Sequence, residues 1–258
     1  MDLLQIASGT TLGLFFGMLL FLEFGRRIGL HHLAQEGGLA RGVGTAEGAV
    51  FGLLGLLIAF TFSGAAGRFE ERRHLITDEA NAIGTAYLRL DLLPAASQPE
   101  LRTLFYDYTG LRAQVYQDAK TLSVVHQRVI QIEQLQKQIW EQTLRAARAS
   151  DAPAHAMMLL VPALNEMIDI TTTRSMATQN HPPFIVFMLL VFLSLVGSLL
   201  IGYEMAENPH RSWLHCVAFA SIMSLSIYVI VDLEFPRLGL FTITGADQLL
   251  LDLQASMR

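Results

Sequence analysis

The chain has 258 residues, 52% of them hydrophobic and only 16% charged, with a formal net charge of −5. Soluble domains carry about 25% charged residues, so this composition points to lipid, and an acidic chain with no basic run is not built to hold nucleic acid. The charge is also unevenly placed: residues 67–182 hold 12 of the 18 Lys+Arg and 13 of the 23 Asp+Glu, which makes the ends lipid-like and the middle water-like. The single cysteine, Cys216, excludes an intramolecular disulfide and a zinc cluster built on thiolates.

Four segments are long and apolar enough to cross about 30 Å of hydrocarbon, which takes ~20 helical residues. They are Leu3–Leu22, Gly48–Ala66, Phe184–Gly202 and Trp213–Val231. The first lacks a basic n-region and is followed by Arg26 and Arg27, so it is expected to be a retained helix, not a cleaved signal. Gly9, Gly13 and Gly17 lie four apart on it, a spacing that lets a neighbouring backbone approach one face. Residues 23–47 are expected to be a polar, glycine-rich connection whose basic groups are Arg26, Arg27, His31, His32 and Arg41. The two histidines are not expected to bind metal. Neighbours on a helix point about 100° apart, and no Cys or carboxylate pattern completes a site.

The second span is the one around which the rest is arranged. It contains no proline before Pro94, so one rod is expected to start in lipid and end in water. Because i and i+4 share a face, Gly52, Leu56, Phe60, Gly64 and Arg68 form one stripe, and Gly55, Ala59, Ser63 and Gly67 form its neighbour. The second stripe suits close helix packing. The first suits a narrowing apolar passage that ends at a basic group. Beyond Ala66, Phe69, Leu75, Ile76, Ile83, Tyr87 and Leu90 recur at helical spacing among many charges.

Further helices are expected over Leu101–Thr121, Ser123–Ala149 and Ala154–Asn180, giving with the rod a four-helix antiparallel bundle over residues 68–181. Pro182–Pro183 then opens the third span, and a short amphipathic helix, about Asp247–Met257, closes the chain. The fold class is therefore an all-α membrane protein, with four transmembrane helices and a large helical-bundle insert between the second and third. Its expected parts are 1–66 (first transmembrane pair), 67–182 (bundle continuous with the second span), 183–232 (second pair) and 233–258 (C-terminal segment).

Several polar residues stand out. Glu79 and Asn81 on the rod, and Asn165, Glu166 and Asp169 near one face of the last bundle helix, are expected to form a structural polar network rather than an ion site. Asp232 and Glu234, with Arg237, form an acid–base cluster at the end of the fourth span. Glu71–His74 has E-x-x-H spacing but lacks the second such pair that carboxylate-bridged metal bundles need. No nucleophile–His–acid set and no phosphate loop occurs, so no enzyme, cofactor or metal is expected.

The stretch AFTFSGAAGRFEERRHLI resembles the second membrane helix of the bestrophin family, in which an apolar, phenylalanine-bearing pore helix runs into an Arg-aromatic-x-x-basic turn and a cytosolic helix. RFEERRHLITDEANAIGTAYLRLDLLP, ALNEMID and DLEFPRLG extend the resemblance to the bacterial bestrophin-like membrane proteins over most of the chain. The resemblance implies a homo-oligomer, pentameric in bestrophins, with a central pore for small inorganic ions. It places Gly52, Leu56 and Phe60 at the apolar neck, with Gly64 beyond them and Arg68 and Glu71 as pore-mouth charges. Three features depart from the pattern: Glu70 stands where bestrophins favour a second aromatic, Gly52 is not bulky, and no acidic cluster matches the calcium clasp. Basic residues flank both sides of the spans in near balance, with Arg68, Arg72, Arg73, Arg174 and Arg237 on the bundle side and Arg26, Arg27, Arg41 and Arg211 opposite. The resemblance puts the bundle and both termini in the cytoplasm, in a multi-pass protein of the inner (plasma) membrane. The functional expectation is an ion channel. The alternative is a non-conducting membrane sensor or scaffold whose bundle binds a ligand or partner.

Overall fold

A computed structural model describes residues 3–36, 43–115, 122–208, 212–236 and 240–258, without the side chains of 3–8, 36, 43, 122, 123 and 244. Arg41, Arg211 and Arg237 lie outside the described residues. Eight α-helices are seen among the described residues: α1 Leu3–Glu36, α2 Val43–Leu88, α3 Gln98–Gln114, α4 Leu122–Ala147, α5 Ala156–Gln179, α6 Phe184–Glu204, α7 Trp213–Glu234 and α8 Thr244–Ser256. Among the described residues there is no strand. Three helical stretches among them are long and apolar enough to cross a membrane, within Gly44–Leu92, Ala156–Glu207 and Trp213–Glu234.

The chain divides into two compact units. The first comprises Met1–Phe69 and His181–Phe241. Leu14 and Met18 of α1, Leu54 of α2, Leu190 and Leu193 of α6, and Ala220 and Ile227 of α7 form its core. A second cluster joins Ala65 to Ile230 and Leu233. Hydroxyls within the apolar helices bond back to their own turn, Ser194 to the Leu190 carbonyl and Ser198 to the Ser194 carbonyl at 2.7 Å each. These two hydroxyls are thereby satisfied within their own helix.

Two expectations are corrected in this unit. Residues 23–36 are not a loop, because α1 runs through them to Glu36. Glycine disfavours a helix interior by about 1 kcal/mol, but here tertiary contact overrides it. A Cβ on Gly25 would sit 2.0 Å from the Leu199 carbonyl oxygen, and one on Gly202 would sit 2.0 Å from that of Leu22. These glycines let the α1 and α6 backbones touch. Gly9 and Gly13, which the spacing offers for close packing, have nothing within 4 Å, and Gly17 meets only Leu195.

The second unit comprises Glu70–Asn180 and Thr242–Arg258. The rest of α2 packs with α3, α4 and α5 around Ile76, Ile83, Leu90, Leu101, Phe105, Tyr108, Ile139, Leu160, Leu164 and Met167, all fully buried. Leu88 ends the helix, and a 3-10 turn over Arg89–Leu92 precedes Pro94. α8 joins this unit. Leu250 and Met257 are buried, the Tyr87 hydroxyl donates to the Met257 carbonyl at 3.1 Å, and the Gln254 amide lies across Gly110 and donates to the Tyr106 carbonyl at 3.1 Å. The amphipathic face of α8 is legible in the chain; its partner is not.

Candidate functional site

α2 buries a narrow face. Leu54 and Ala65 are enclosed and Phe51, Leu57 and Ile58 are partly so. Only 11% of its most apolar stretch is buried, against 28% for α7. The stripe picked out by spacing lies on the bare side: Gly52 is open, Leu56 is 53% exposed and Phe60 is 69% exposed. Gly55, Ala59, Ser63 and Gly67 are exposed beside it. The uncovered faces of α1, α6 and α7 carry bulky Leu12, Phe16, Leu20, Phe184, Phe192, Ile222 and Leu225, whereas α2 sets its row of small residues beside bulky Leu53, Leu56, Phe60 and Phe62. Large side chains suit acyl chains, whereas small ones suit another helix.

Gly64 and Arg68 depart from the stripe. A Cβ on Gly64 would meet the Arg68 Nη1 atom at 3.2 Å, so Gly64 makes room for a guanidinium folded back along its own helix. Arg68 Nε donates to both Glu234 oxygens, at 3.0 and 3.1 Å, and Nη2 donates to Oε2 at 2.7 Å. His181 Nδ1 is 2.9 Å from Glu234 Oε1, and its ring stacks on Phe235 with centroids 4.6 Å apart. Glu234 is the last residue of α7 and is fully buried. A carboxylate at a helix C-terminus is opposed by the helix dipole, and the bidentate guanidinium offsets this. Asp232 serves differently: it accepts the backbone N–H groups of Leu240 (3.0 Å) and Phe241 (2.8 Å) and so pins the chain leaving α7.

In the second unit Glu79 is enclosed between Arg112 of α3 and Arg174 of α5, each bonded to one of its oxygens. Arg174 also reaches Asp247 of α8 at 3.6 Å. Burial alone would raise the Glu79 carboxyl, but the two guanidiniums outweigh it and hold the group below its ordinary value. Arg72 donates to the Ala177 and Asn180 carbonyls at 3.1 and 3.0 Å and so caps the end of α5. Glu71, Asn81, Asn165, Glu166 and Asp169 are all exposed. Of the expected network, then, only Glu79 enters a buried cluster, and its partners are arginines.

None of Arg112, Arg174, Asp247 and His181 is among the expected site residues; Arg174 enters only as a basic residue flanking the spans and Asp247 only as the start of the last helix. A signal for three of them exists. Leu160, Leu164, Met167, Thr171 and Arg174 share one helical phase, as do Leu101, Phe105, Tyr108 and Arg112, and as do Ile243, Asp247 and Leu250. On the rod, Arg72, Ile76, Glu79, Ile83, Ala86 and Leu90 do the same. A charge in phase with an apolar stripe marks a buried ion pair. His181 offers no such pattern. Among the described residues no group of three or more His, Cys, Asp or Glu side chains is placed to hold a metal ion.

This arrangement, an apolar helix continuous with a bundle and bounded by buried ion pairs, is that of a helical membrane protein. The family model described as the bestrophin-like domain matches residues 13–247, and the chain belongs to this family. The fold resembles crystal structures of a bacterial bestrophin homologue from Klebsiella pneumoniae. One, solved by zinc phasing, has TM-score 0.69 and 15% identity and covers 93% of this chain and 98% of that one. A point variant of it has TM-score 0.72 and 14% identity over 95% and 98%, and a second variant 0.69 and 15% over 92% and 98%. No curated protein matches in sequence.

Proposed function

We propose that the protein is a homo-oligomeric ion channel, pentameric as bestrophins are, whose neck is formed by the Gly52, Leu56 and Phe60 stripe of α2. The observation that carries this reading is the bare stripe itself. Leu56 and Phe60 are each more than half exposed in the protomer, and the glycine, alanine and serine positions beside them suit a second copy's helix better than lipid. Copies related by a closed rotation repeat each stripe residue as a ring, and an apolar ring gates ions by dewetting. Glu71, exposed beyond the membrane stretch, adds charge to the mouth. In this reading α1, the apolar part of α2, α6 and α7 are four spans, and residues 67–182 form the insert. The bundle and both termini are cytoplasmic, in the inner membrane, and the chain works on small inorganic ions without catalysis.

The test is single-channel recording of the purified oligomer in planar bilayers beside Phe60→Ala and Leu56→Ala. Wild-type current that rises or loses its gating in these variants is the expected result. Silence from all three, with the oligomer intact, removes the channel reading.

A second reading, a non-conducting sensor or scaffold, is favoured by one feature. A groove of about 500 Å³ in the second unit is lined by Asp107 and by Gln114, Gln131, Gln134, Gln138 and Gln254. Carboxamides donate and accept at once, which suits a neutral polar ligand. Cysteine accessibility of Gln131→Cys from the two sides of sealed vesicles separates the two, because the channel architecture requires the groove in the cytoplasm.

A further inference from the structure

We infer that Glu234 is a specificity-determining residue for this channel: by holding Arg68 in a closed ion pair, it sets the net charge that α2 offers to ions where the neck ends. The inference rests on the channel reading above. Arg68 follows Phe60 by eight residues and Gly64 by four, so the helix repeat puts its Cα on the neck stripe. A free arginine there would be repeated around the pore as a basic ring, and such rings favour anions. The geometry removes that ring. The guanidinium lies back over Gly64 and spends Nε and Nη2 on Glu234 at 2.7–3.1 Å. Its side chain is 22% exposed, against 0% for Glu234.

The pair therefore contributes no net charge, although one of its members sits on the stripe. Glu234 itself lies on α7, not on the stripe. Its Oε1, which also accepts from Arg68, lies 2.9 Å from His181 Nδ1, just ahead of the Pro182–Pro183 step into α6. Asp232, two residues earlier, is engaged by the Leu240 and Phe241 amides and so belongs to the loop. Glu234 is thus the carboxylate that balances Arg68. It acts through Arg68 and is a positioning residue for it.

The test is a charge cycle read by reversal potential in a potassium chloride gradient, using the assembled full-length protein in planar bilayers. Glu234→Gln keeps the shape and frees the guanidinium, and its reversal potential is expected to move toward the chloride equilibrium potential. Arg68→Gln is expected to move it toward that of potassium. The double variant restores neutrality and is expected to return to the wild-type value, which loss of a merely structural contact would not produce. If Glu234→Gln does not assemble, Arg68→Gln and the double variant still test the idea, because the second must undo the shift of the first. A Glu234→Gln channel with the wild-type reversal potential, or a double variant that keeps a single variant's shift, overturns the inference and leaves the channel reading standing. A wild-type oligomer that passes no current removes both.

Discussion

The two parts of α2 differ in what they leave outside and what they bury. Up to Phe69 it buries Leu54 but leaves several large apolar side chains outside, with Leu56 and Phe60 bare. From Glu70 onward two of its charges, Arg72 and Glu79, are buried, while Glu70, Glu71, Arg73 and Asp78 stay in solvent. Each half is ordinary in its own solvent. An apolar exterior is what lipid or another copy requires, and buried charges persist where every one is paired. One uninterrupted helix of 46 residues carries both. Burial in the protomer is therefore no guide to importance along this helix.

The most severe way to break the comparison is at Glu79. Glu79→Gln leaves Arg112 and Arg174 facing each other without their shared carboxylate. Removing one partner of a buried pair costs about 3–5 kcal/mol, so the variant is expected to unfold at much lower temperature in detergent. A fall of less than about 1 kcal/mol would mean that water enters the cluster.

Next come two leucines within one turn, about 200° apart around the helix. Leu54 is 1% exposed and Leu56 is 53% exposed. Leu54→Ala is expected to cost about 2–5 kcal/mol through the cavity it leaves. Leu56→Ala is expected to change protomer stability by less than about 0.5 kcal/mol while altering conductance. Equal losses in unfolding would show that Leu56 is a packing residue.

A smaller effect separates the halves by pH. The folded-state Glu79 carboxyl lies below its ordinary value of 4.5, so the unfolded chain binds the proton more readily. Its contribution is fully present above the unfolded value and is lost as pH falls through the folded one. Acid unfolding is thus expected to begin below about pH 4.5 and to be reported by Trp140, in the second unit. In Glu79→Gln the same descent is expected to be flatter.

Much of the helix content was legible in the chain, because apolar runs of about 20 residues and 3.6-residue spacing are strong signals. The stripe of Gly52, Leu56 and Phe60 follows from counting alone. What was not legible depended on partners. Gly25 and Gly29 read as loop glycines until α6 lies against them. Arg68 read as a free charge because Glu234 lies 166 residues away in sequence. Arg112 and Arg174 could have been found as charges in the apolar phase, but phase does not say which acid faces them.

The smallest expected effect concerns Asn81, Asn165, Glu166 and Asp169. All four are exposed, and an exposed side chain free of special contacts changes stability by about ±0.5 kcal/mol when removed. Alanine at each is therefore expected to leave unfolding in detergent unaltered. Assembly is a separate readout. In the channel reading each copy must meet its neighbours, and a polar residue that lies at such a contact loses its water only in the oligomer. If one alanine variant lowers the oligomer fraction by mass photometry at unchanged unfolding temperature, that position lies where the next copy sits. If none does, contact between copies is carried by the apolar stretch of α2, where Gly55, Ala59, Ser63 and Gly67 stand open, and Ala59→Leu becomes the substitution that must disrupt it.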